Sequence, residues 1–541
     1  MGPADTKPLD GDFQDEVYKT LEYWKIPGMA IAVIDGEDTS TKGYGTPKVA
    51  STTKVEPNTL FYGGSTTKAF TAAMMGILVQ DNASYPQVQW STPVAELIRE
   101  DFVLDQPGTI AQTTIEDILS HRTGMPGHNL ALGSVRSNQD VATVQDVVRS
   151  LRFLPRAAPP RTTYMYNNAM YIVASHLIQT VTGEHLGALF QRHIWEPLAM
   201  NHTYLRLEDA QAHQKDKLAT GYDDNLQEVP WKDRQEISGA GAIISSVEDY
   251  AKWVFALLNP GQCQDLSAAL CSEIGTARTL IPAPSAPFLA PMAYAMGWNR
   301  YVYHGVEILT HDGGIDGFGA EIAMVPALKY GVVTMANSTY TSNYGGTCLM
   351  YSLIDAKLGI AKQDRFDWKQ KYDNLVKQMK AYNANAMDYF YPNLPNQPRP
   401  GPTLPLAAYA GIYWDDGYGA LELYINQKDK KLHANRTEGT NSTALTFEHV
   451  IGDCFLAKVA VVGAEVVVPA EFALLPDRTP RAIGVGWEPN LGKERRIWMR
   501  RVGAGGGLLP GDQHQRNLEF YDAYQQSEPE LPEFLDSQVF V

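Results

Sequence analysis

Gly63-Gly64-Ser65-Thr66-Thr67-Lys68-Ala69-Phe70-Thr71-Ala72-Ala73-Met74-Met75 is the stretch on which the reading of this chain turns. Two glycines precede a serine and a long apolar run follows it, so Ser65 is expected to open a buried helix. Lys68 stands at i+3, on the same face as Ser65. A serine hydroxyl is a weak nucleophile until a base takes its proton, and an amine whose pKa is lowered by burial can do so. The helix N-terminus adds a favourable field for the anion that develops on attack. The same four letters recur at Ser51-Thr52-Thr53-Lys54, but Val55-Glu56-Pro57 follows them and starts no helix. Setting therefore selects Ser65.

Two further constellations carry chemistry. Tyr166-Asn167-Asn168 follows Pro159-Pro160 and leads into a helical run. A tyrosine there is either core packing or, beside a cationic lysine, a hydroxyl that loses its proton more easily and passes it to a leaving group. Asn168 would then hold a substrate amide or carbonyl. Thr310-His311-Asp312-Gly313-Gly314 stands at the end of a strand-like run. Its glycines let backbone approach a ligand closely, and the Gly314 amide could act as a second oxyanion donor beside that of Ser65. His311 and Gly313 join Asn168 as candidate substrate-binding residues. Ten of the twelve histidines have no such context. The other exception, His121, lies in a loop-like segment.

The order Ser65-Thr66-Thr67-Lys68, Tyr166-Asn167-Asn168, His311-Asp312-Gly313 resembles the three motifs of β-lactamase-related serine hydrolases, the class C β-lactamase, esterase and D-aminopeptidase group. Ile118-Leu119-Ser120-His121-Arg122-Thr123-Gly124-Met125-Pro126 is similar to a loop near that family's site, and Gly239-Ala240-Gly241-Ala242-Ile243 to its glycine-rich turn before a helix. The resemblance covers about residues 13–360. It implies an α+β fold of the penicillin-binding-protein type, an antiparallel sheet flanked by helices with a helical subdomain, and a site between them. It implies Ser65 as acylated nucleophile, Lys68 and Tyr166 as acid/base pair, and the Ser65 and Gly314 amides as oxyanion donors. His311 departs from the lysine of penicillin-recognising members and is a weaker anchor for a substrate carboxylate at neutral pH.

At 541 residues the chain predicts two or three domains. The expected division is a catalytic domain over 1–391, a proline-rich linker over 392–405, a small all-β domain over 406–502, similar to the lipocalin-like barrel some members carry, and a tail over 503–541. Helices are expected over 13–24, 114–120, 144–153 and 168–182, with a further one beginning at Ser245 through a Ser245/Glu248 capping box. Strands are expected over 29–34, 306–310, 319–324 and 331–335. No internal repeat is evident.

A formal net charge of −16 argues against nucleic-acid binding. No run approaches the roughly 20 apolar residues of a membrane helix. The first fourteen residues lack the pattern of a signal peptide, so a cytoplasmic location is expected, or secretion if a leader was removed. Sequons at Asn82, Asn201, Asn337, Asn435 and Asn441 lean slightly towards secretion. Four cysteines exclude a disulfide scaffold, although Cys263 and Cys271 are close enough to bridge. No cofactor is expected, and no metal, because HExxH, CxxC and clustered histidines are absent. The expected partner is a small-molecule acyl substrate, and the sequence leaves the oligomeric state open. The expected activity is hydrolysis of a small ester, lactone or amide through an acyl-enzyme on Ser65. Acyl transfer, a D-aminopeptidase or β-lactamase-like amidase, and an inactive binding protein on the same fold are the alternatives.

Overall fold

A computed structural model describes residues 8–104, 112–137, 141–282, 286–288 and 290–502. The expected tail over 503–541 lies outside the described residues. By backbone contacts the chain forms two units. The first comprises Met1–Glu100, Ile110–Gly124 and Pro159–Tyr372, and the second Asp101–Thr109, Met125–Ala158 and Asp373–Val541. The units do not divide at the proline-rich segment.

In the first unit the long elements run α1 (Asp12–Trp24), β1 (Gly28–Asp35), β2 (Asp38–Gly45), α2 (Thr67–Gln80), α3 (Asn168–Thr182) and α4 (Val247–Leu258). Then follow β3 (Thr279–Ile281), β4 (Met292–Tyr294), β5 (Asn299–Tyr303), β6 (Val306–Ile315), β7 (Phe318–Val325), β8 (Tyr330–Ala336) and α5 (Thr341–Lys357). The strands form one antiparallel sheet in the order β2-β1-β8-β7-β6-β5-β4-β3. The N-terminal hairpin is thus completed by the last strand, with Met29 opposite Ala336. Helices supply the cover that lets β7 and β8 be buried along their whole length. Gly331 of β8 has α4 against it, where an added Cβ would meet Val254 and Leu258. Three residues on, and so on the opposite face, Thr334 lies under Gly346 of α5. The α5 face holds a core that includes Val17, Leu21 and Trp24 of α1 with Leu349 and Leu353 of α5. α2 is buried from Thr67 to Leu78, and its Phe70 stacks on Trp253 of α4 with ring centroids 4.3 Å apart.

Two local readings are corrected. The helix expected at Ser245 begins at Val247, capped by Ser246, whose hydroxyl accepts the Asp249 N–H. Ser245 is instead paired with Phe61 in a two-residue strand, which removes it from the cap. β6 does not end at Thr310 but continues through the His311-Asp312-Gly313-Gly314 segment to Ile315.

The second unit contains a closed antiparallel barrel of eight strands: β9 (Gly411–Asp415), β10 (Gly419–Ile425), β11 (Leu432–Arg436), β12 (Thr443–Ile451), β13 (Cys454–Val461), β14 (Ala464–Leu474), β15 (Pro480–Val485) and β16 (Ile497–Val502). Pairing of Ile412 with Val502 closes it. β10 alternates buried Leu421 and Leu423 with exposed Glu422 and Tyr424, the period-2 pattern of a one-sided strand. The proline-rich segment packs on the barrel, with Pro400 accepting from the Gly452 amide at 3.0 Å. So does residue stretch 128–134. Buried Arg436 donates to the Leu130 carbonyl and to Ser134 Oγ, both at 3.0 Å, and Glu488 accepts the His128 amide at 2.7 Å.

All four cysteines are free thiols. Among the described residues no helix is long and apolar enough to cross a membrane, and no group of three or more His, Cys, Asp or Glu is arranged to hold a metal ion. Asn337 is fully buried, accepting from the Gly28 amide and donating to the Pro47 and Thr220 carbonyls, so that sequon is structural.

Candidate active site

Ser65 lies in a single 3-10 turn, Gly64–Thr66, that leads directly into α2. The rival tetrad at Ser51 lies in a loop whose Thr52, Thr53 and Lys54 are exposed. Ser65 is almost wholly buried, and Lys68 one turn on is completely so. Lys68 Nζ stands 2.9 Å from Ser65 Oγ, 2.7 Å from Asn168 Oδ1 and 3.0 Å from the Ala240 carbonyl oxygen. Burial pushes its pKa well below the ordinary lysine value, against a smaller upward pull from Asp312. Two of the three partners can only accept hydrogen bonds. A neutral amine in this position would spend its two N–H groups on Asn168 and Ala240 and have its lone pair left for the Ser65 hydroxyl.

The Tyr166-Asn167-Asn168 motif is a helix start. Asn167 is the N-cap of α3, its side-chain oxygen accepting the Met170 amide at 3.0 Å, and Asn168 is the first helical residue. This places Tyr166 just outside the helix, with its hydroxyl donating to Ser65 Oγ at 2.8 Å. The sequence reading has a cationic lysine easing the loss of the Tyr166 proton, and burial acts the other way. Burial outweighs every other influence and raises the Tyr166 pKa well above 10, so the group is a neutral phenol. Asn168, expected to meet substrate, has its oxygen engaged by Lys68.

The β6 segment closes the site from the other side. An added Cβ on Gly64 would stand 2.9 Å from the Gly314 nitrogen. One on Gly313 would stand 1.9 Å from the Gly63 carbonyl oxygen and 3.0 Å from the Ser65 nitrogen. The Ser65 and Gly314 amides are thereby neighbours, as an oxyanion hole requires. His311 lies with its ring centroid 6.3 Å from that of Tyr166. Its ring is completely buried, Nδ1 donating to the Asp312 carbonyl at 2.6 Å and Nε2 accepting from the Tyr294 hydroxyl at 3.0 Å. Burial, with a smaller contribution from Lys68, lowers its pKa to about 3. The candidates therefore converge, with both ring nitrogens of His311 engaged by protein groups and the Asn168 oxygen engaged by Lys68.

The sequence reading placed His121 in a loop near the site but assigned it no role. Its carbonyl accepts the Met165 amide at 2.9 Å and its Nδ1 accepts the Asn167 amide at 3.1 Å, so it grips the chain on both sides of Tyr166. Its ring also packs on the Tyr166 ring, with centroids 4.5 Å apart. The backbone is left-handed at φ 54°, an uncommon conformation for histidine that lets carbonyl and ring reach the same segment. Tyr294 and the Ala240 carbonyl are further contributors; only the glycine-rich context of Ala240 gave a signal for either.

Residues 19–353 match the profile of the Beta-lactamase family, and residues 395–501 match that of a domain of unknown function, DUF3471. The unguisins hydrolase ungD of Aspergillus violaceofuscus is 69% identical across 100% of both chains. The unguisins hydrolase ungD' of Aspergillus campestris is 52% identical across 92% of each. Protein flp of Staphylococcus aureus is 26% identical over 61% of this chain and 64% of its own. The octameric penicillin-binding protein homologue from Pyrococcus abyssi superposes with a TM-score of 0.57 at 19% identity, covering 91% of this chain and 99% of that one, a likeness of fold. With more than half of its length matched and the sheet, helices and serine-bearing helix start of that fold in place, the chain belongs to the Beta-lactamase family and is a hydrolase of it.

Proposed function

We propose that this hydrolase works through an acyl-enzyme on Ser65, cleaving the acyl C–O or C–N bond of an ester, lactone or amide in an unguisin or a compound of that class. The observation that carries the chemistry is the position of Ser65 Oγ, 2.9 Å from Lys68 Nζ and 2.8 Å from the Tyr166 hydroxyl. Neutral Lys68 takes the Ser65 proton as Oγ attacks the carbonyl carbon. The oxyanion forms between the Ser65 and Gly314 amides. Tyr166 gives its proton to the leaving amine or alkoxide and regains one from Lys68, so a phenol of high pKa is a relay and not a resting base. Water then cleaves the ester on Ser65 by the reverse sequence of proton transfers. Support for the compound class is the naming of two relatives, 69% and 52% identical over nearly their whole length. The barrel is read as a separate domain, and a cytoplasmic location remains part of this proposal.

The test is intact mass and peptide mapping after incubation with unguisins and with a panel of activated esters, lactones and β-lactams. An adduct on Ser65, lost in Ser65→Ala and kept in Ser51→Ala, is the expected result. Turnover that survives Ser65→Ala would overturn the mechanism, and turnover of esters but of no unguisin would overturn the compound class.

A further inference from the structure

The peptide group joining Gly313 and Gly314 has two ends. It is planar, so its carbonyl and its N–H point in opposite directions. Gly313 is paired with Ala320 of β7, and the Gly313 carbonyl accepts from Asn343 Nδ2 at 3.1 Å. On the other edge β5 pairs with β6 only as far as Thr310, so beyond that residue the strand is open towards Ser65. Whatever fixes the direction of the Gly313 carbonyl fixes the aim of the Gly314 N–H.

Asn343 is built for that task. Its Nδ2 lies within reach of three oxygens: Gly313 O at 3.1 Å, Ala320 O at 3.2 Å and Glu321 Oε1 at 2.9 Å. A flipped amide would set its oxygen against the Gly313 and Ala320 carbonyls, which can only accept, so one orientation is dictated. Space is reserved for it, since a Cβ on Gly319 would stand 2.5 Å from Asn343 Oδ1. The start of α5 is delivered by a strained turn. Tyr340 has φ 57° and ψ −51°, and the Thr341 amide bonds the Thr339 carbonyl at 2.6 Å, the form of a rare γ-turn. Glu321 is buried directly across from Asp312 in the ladder. Burial and Asp312 raise its pKa well above the ordinary carboxylate value, which suits an uncharged acceptor for the asparagine amide.

We infer that Asn343, oriented by Glu321, is a positioning residue that aims and polarises the Gly314 N–H of the oxyanion hole from behind the strand. A hydrogen bond accepted at the carbonyl strengthens the N–H at the other end of the same peptide. The inference rests on the Ser65 acyl-enzyme reading.

Asn343→Leu and Asn343→Asp are compared with the parent, using p-nitrophenyl acetate as substrate and an arylboronic acid as a tetrahedral adduct of Ser65. Losing a whole oxyanion donor costs about 10²–10³ in kcat, so losing its aim is expected to cost about 10–100-fold. The loss should fall in kcat with KM within about threefold, and boronate affinity should fall in parallel. Glu321→Gln, which keeps an acceptor, should lose much less than Glu321→Ala. Folding is checked by thermal melting. If Asn343→Leu or Asn343→Asp melts normally and keeps boronate affinity within threefold, the inference is overturned. It is equally overturned if the loss lies in KM for large substrates alone, which would make Asn343 a substrate contact. Should both Asn343 variants fail to fold, equal activity of Glu321→Gln and Glu321→Ala overturns it. Survival of turnover in Ser65→Ala would instead condemn the acyl-enzyme reading, so the two failures are distinct.

Discussion

Gly313→Ala and Gly314→Ala add the same methyl group to adjacent residues of β6, and the structure assigns them opposite outcomes. Neither residue has a positive φ, so the difference is steric and not conformational. At Gly313 the new Cβ would stand 1.9 Å from the Gly63 carbonyl oxygen, whereas carbon and oxygen ordinarily approach no closer than about 3.3 Å. Strand or turn must separate by roughly 1.4 Å, the difference between those two distances. Both partners are backbone, so no side chain can swing aside. The displaced atoms carry the two amides, and a misplacement near 1 Å can cost about a hundredfold in rate. At Gly314 the nearest atom to the new Cβ is Asn343 Oδ1 at 3.6 Å, an ordinary contact, so the loss should stay within about tenfold. The assay is kcat/KM for p-nitrophenyl acetate, with Ser65 labelling counted by intact mass and folding checked by thermal melting. A Gly313→Ala variant of near-parental activity, or a well-folded Gly314→Ala variant with the larger loss, would refute the placement of the oxyanion backbone.

Three further outcomes are expected. Lys68→Arg retains a charge that cannot be given up and should lose at least about 10²-fold in acylation at every pH; in the parent, activity present above the lowered Lys68 pKa should fall as pH drops through it, measured as kcat/KM against pH. His311 has a pKa of about 3 when folded and about 6.5 when unfolded, so between those values the unfolded chain binds the extra proton. Stability should thus decline as pH falls from 6.5 towards 3, by up to about 1.4 kcal/mol per pH unit from this group. His311→Gln should show a shallower acid-side slope in urea melts at pH 7 and pH 4.5, and parallel slopes would contradict the buried neutral ring. His121→Phe removes the acceptor of the Asn167 amide, a change worth about 1–3 kcal/mol of stability, and should lower kcat by at least about tenfold with little change in KM; a KM effect alone would count against its hold on Tyr166.

Much of this site was legible because the chemistry needs short, local patterns. Ser65 and Lys68 are one turn apart, and a helical run begins at Asn168, so helical periodicity reveals both, whereas the cap that Asn167 supplies is seen only in the structure. The apolar run after Lys68 announces a buried helix, and α2 is buried from Thr67 to Leu78. The exact cap of α4 was missed by one residue. Ser245-x-x-Glu248 and Ser246-x-x-Asp249 are equally good caps in isolation, and the pairing of Ser245 with Phe61, far away in the chain, decides between them.

Residue type and spacing determined which groups were available: a serine and a lysine on one helical face, a tyrosine before a helix cap, and a glycine pair on a strand. Only the tertiary structure decided their states and supports. The burial that lowers the Lys68 pKa also raises that of Tyr166 and lowers that of His311, and burial is a property of everything packed around a side chain. His121 is 46 residues from Asn167, and Asn343 is 30 from Gly313, separations at which no periodicity links them. Their roles exist because sheet pairing and helix docking bring backbone amides and carbonyls, which every residue carries and no sequence pattern marks, within hydrogen-bonding distance.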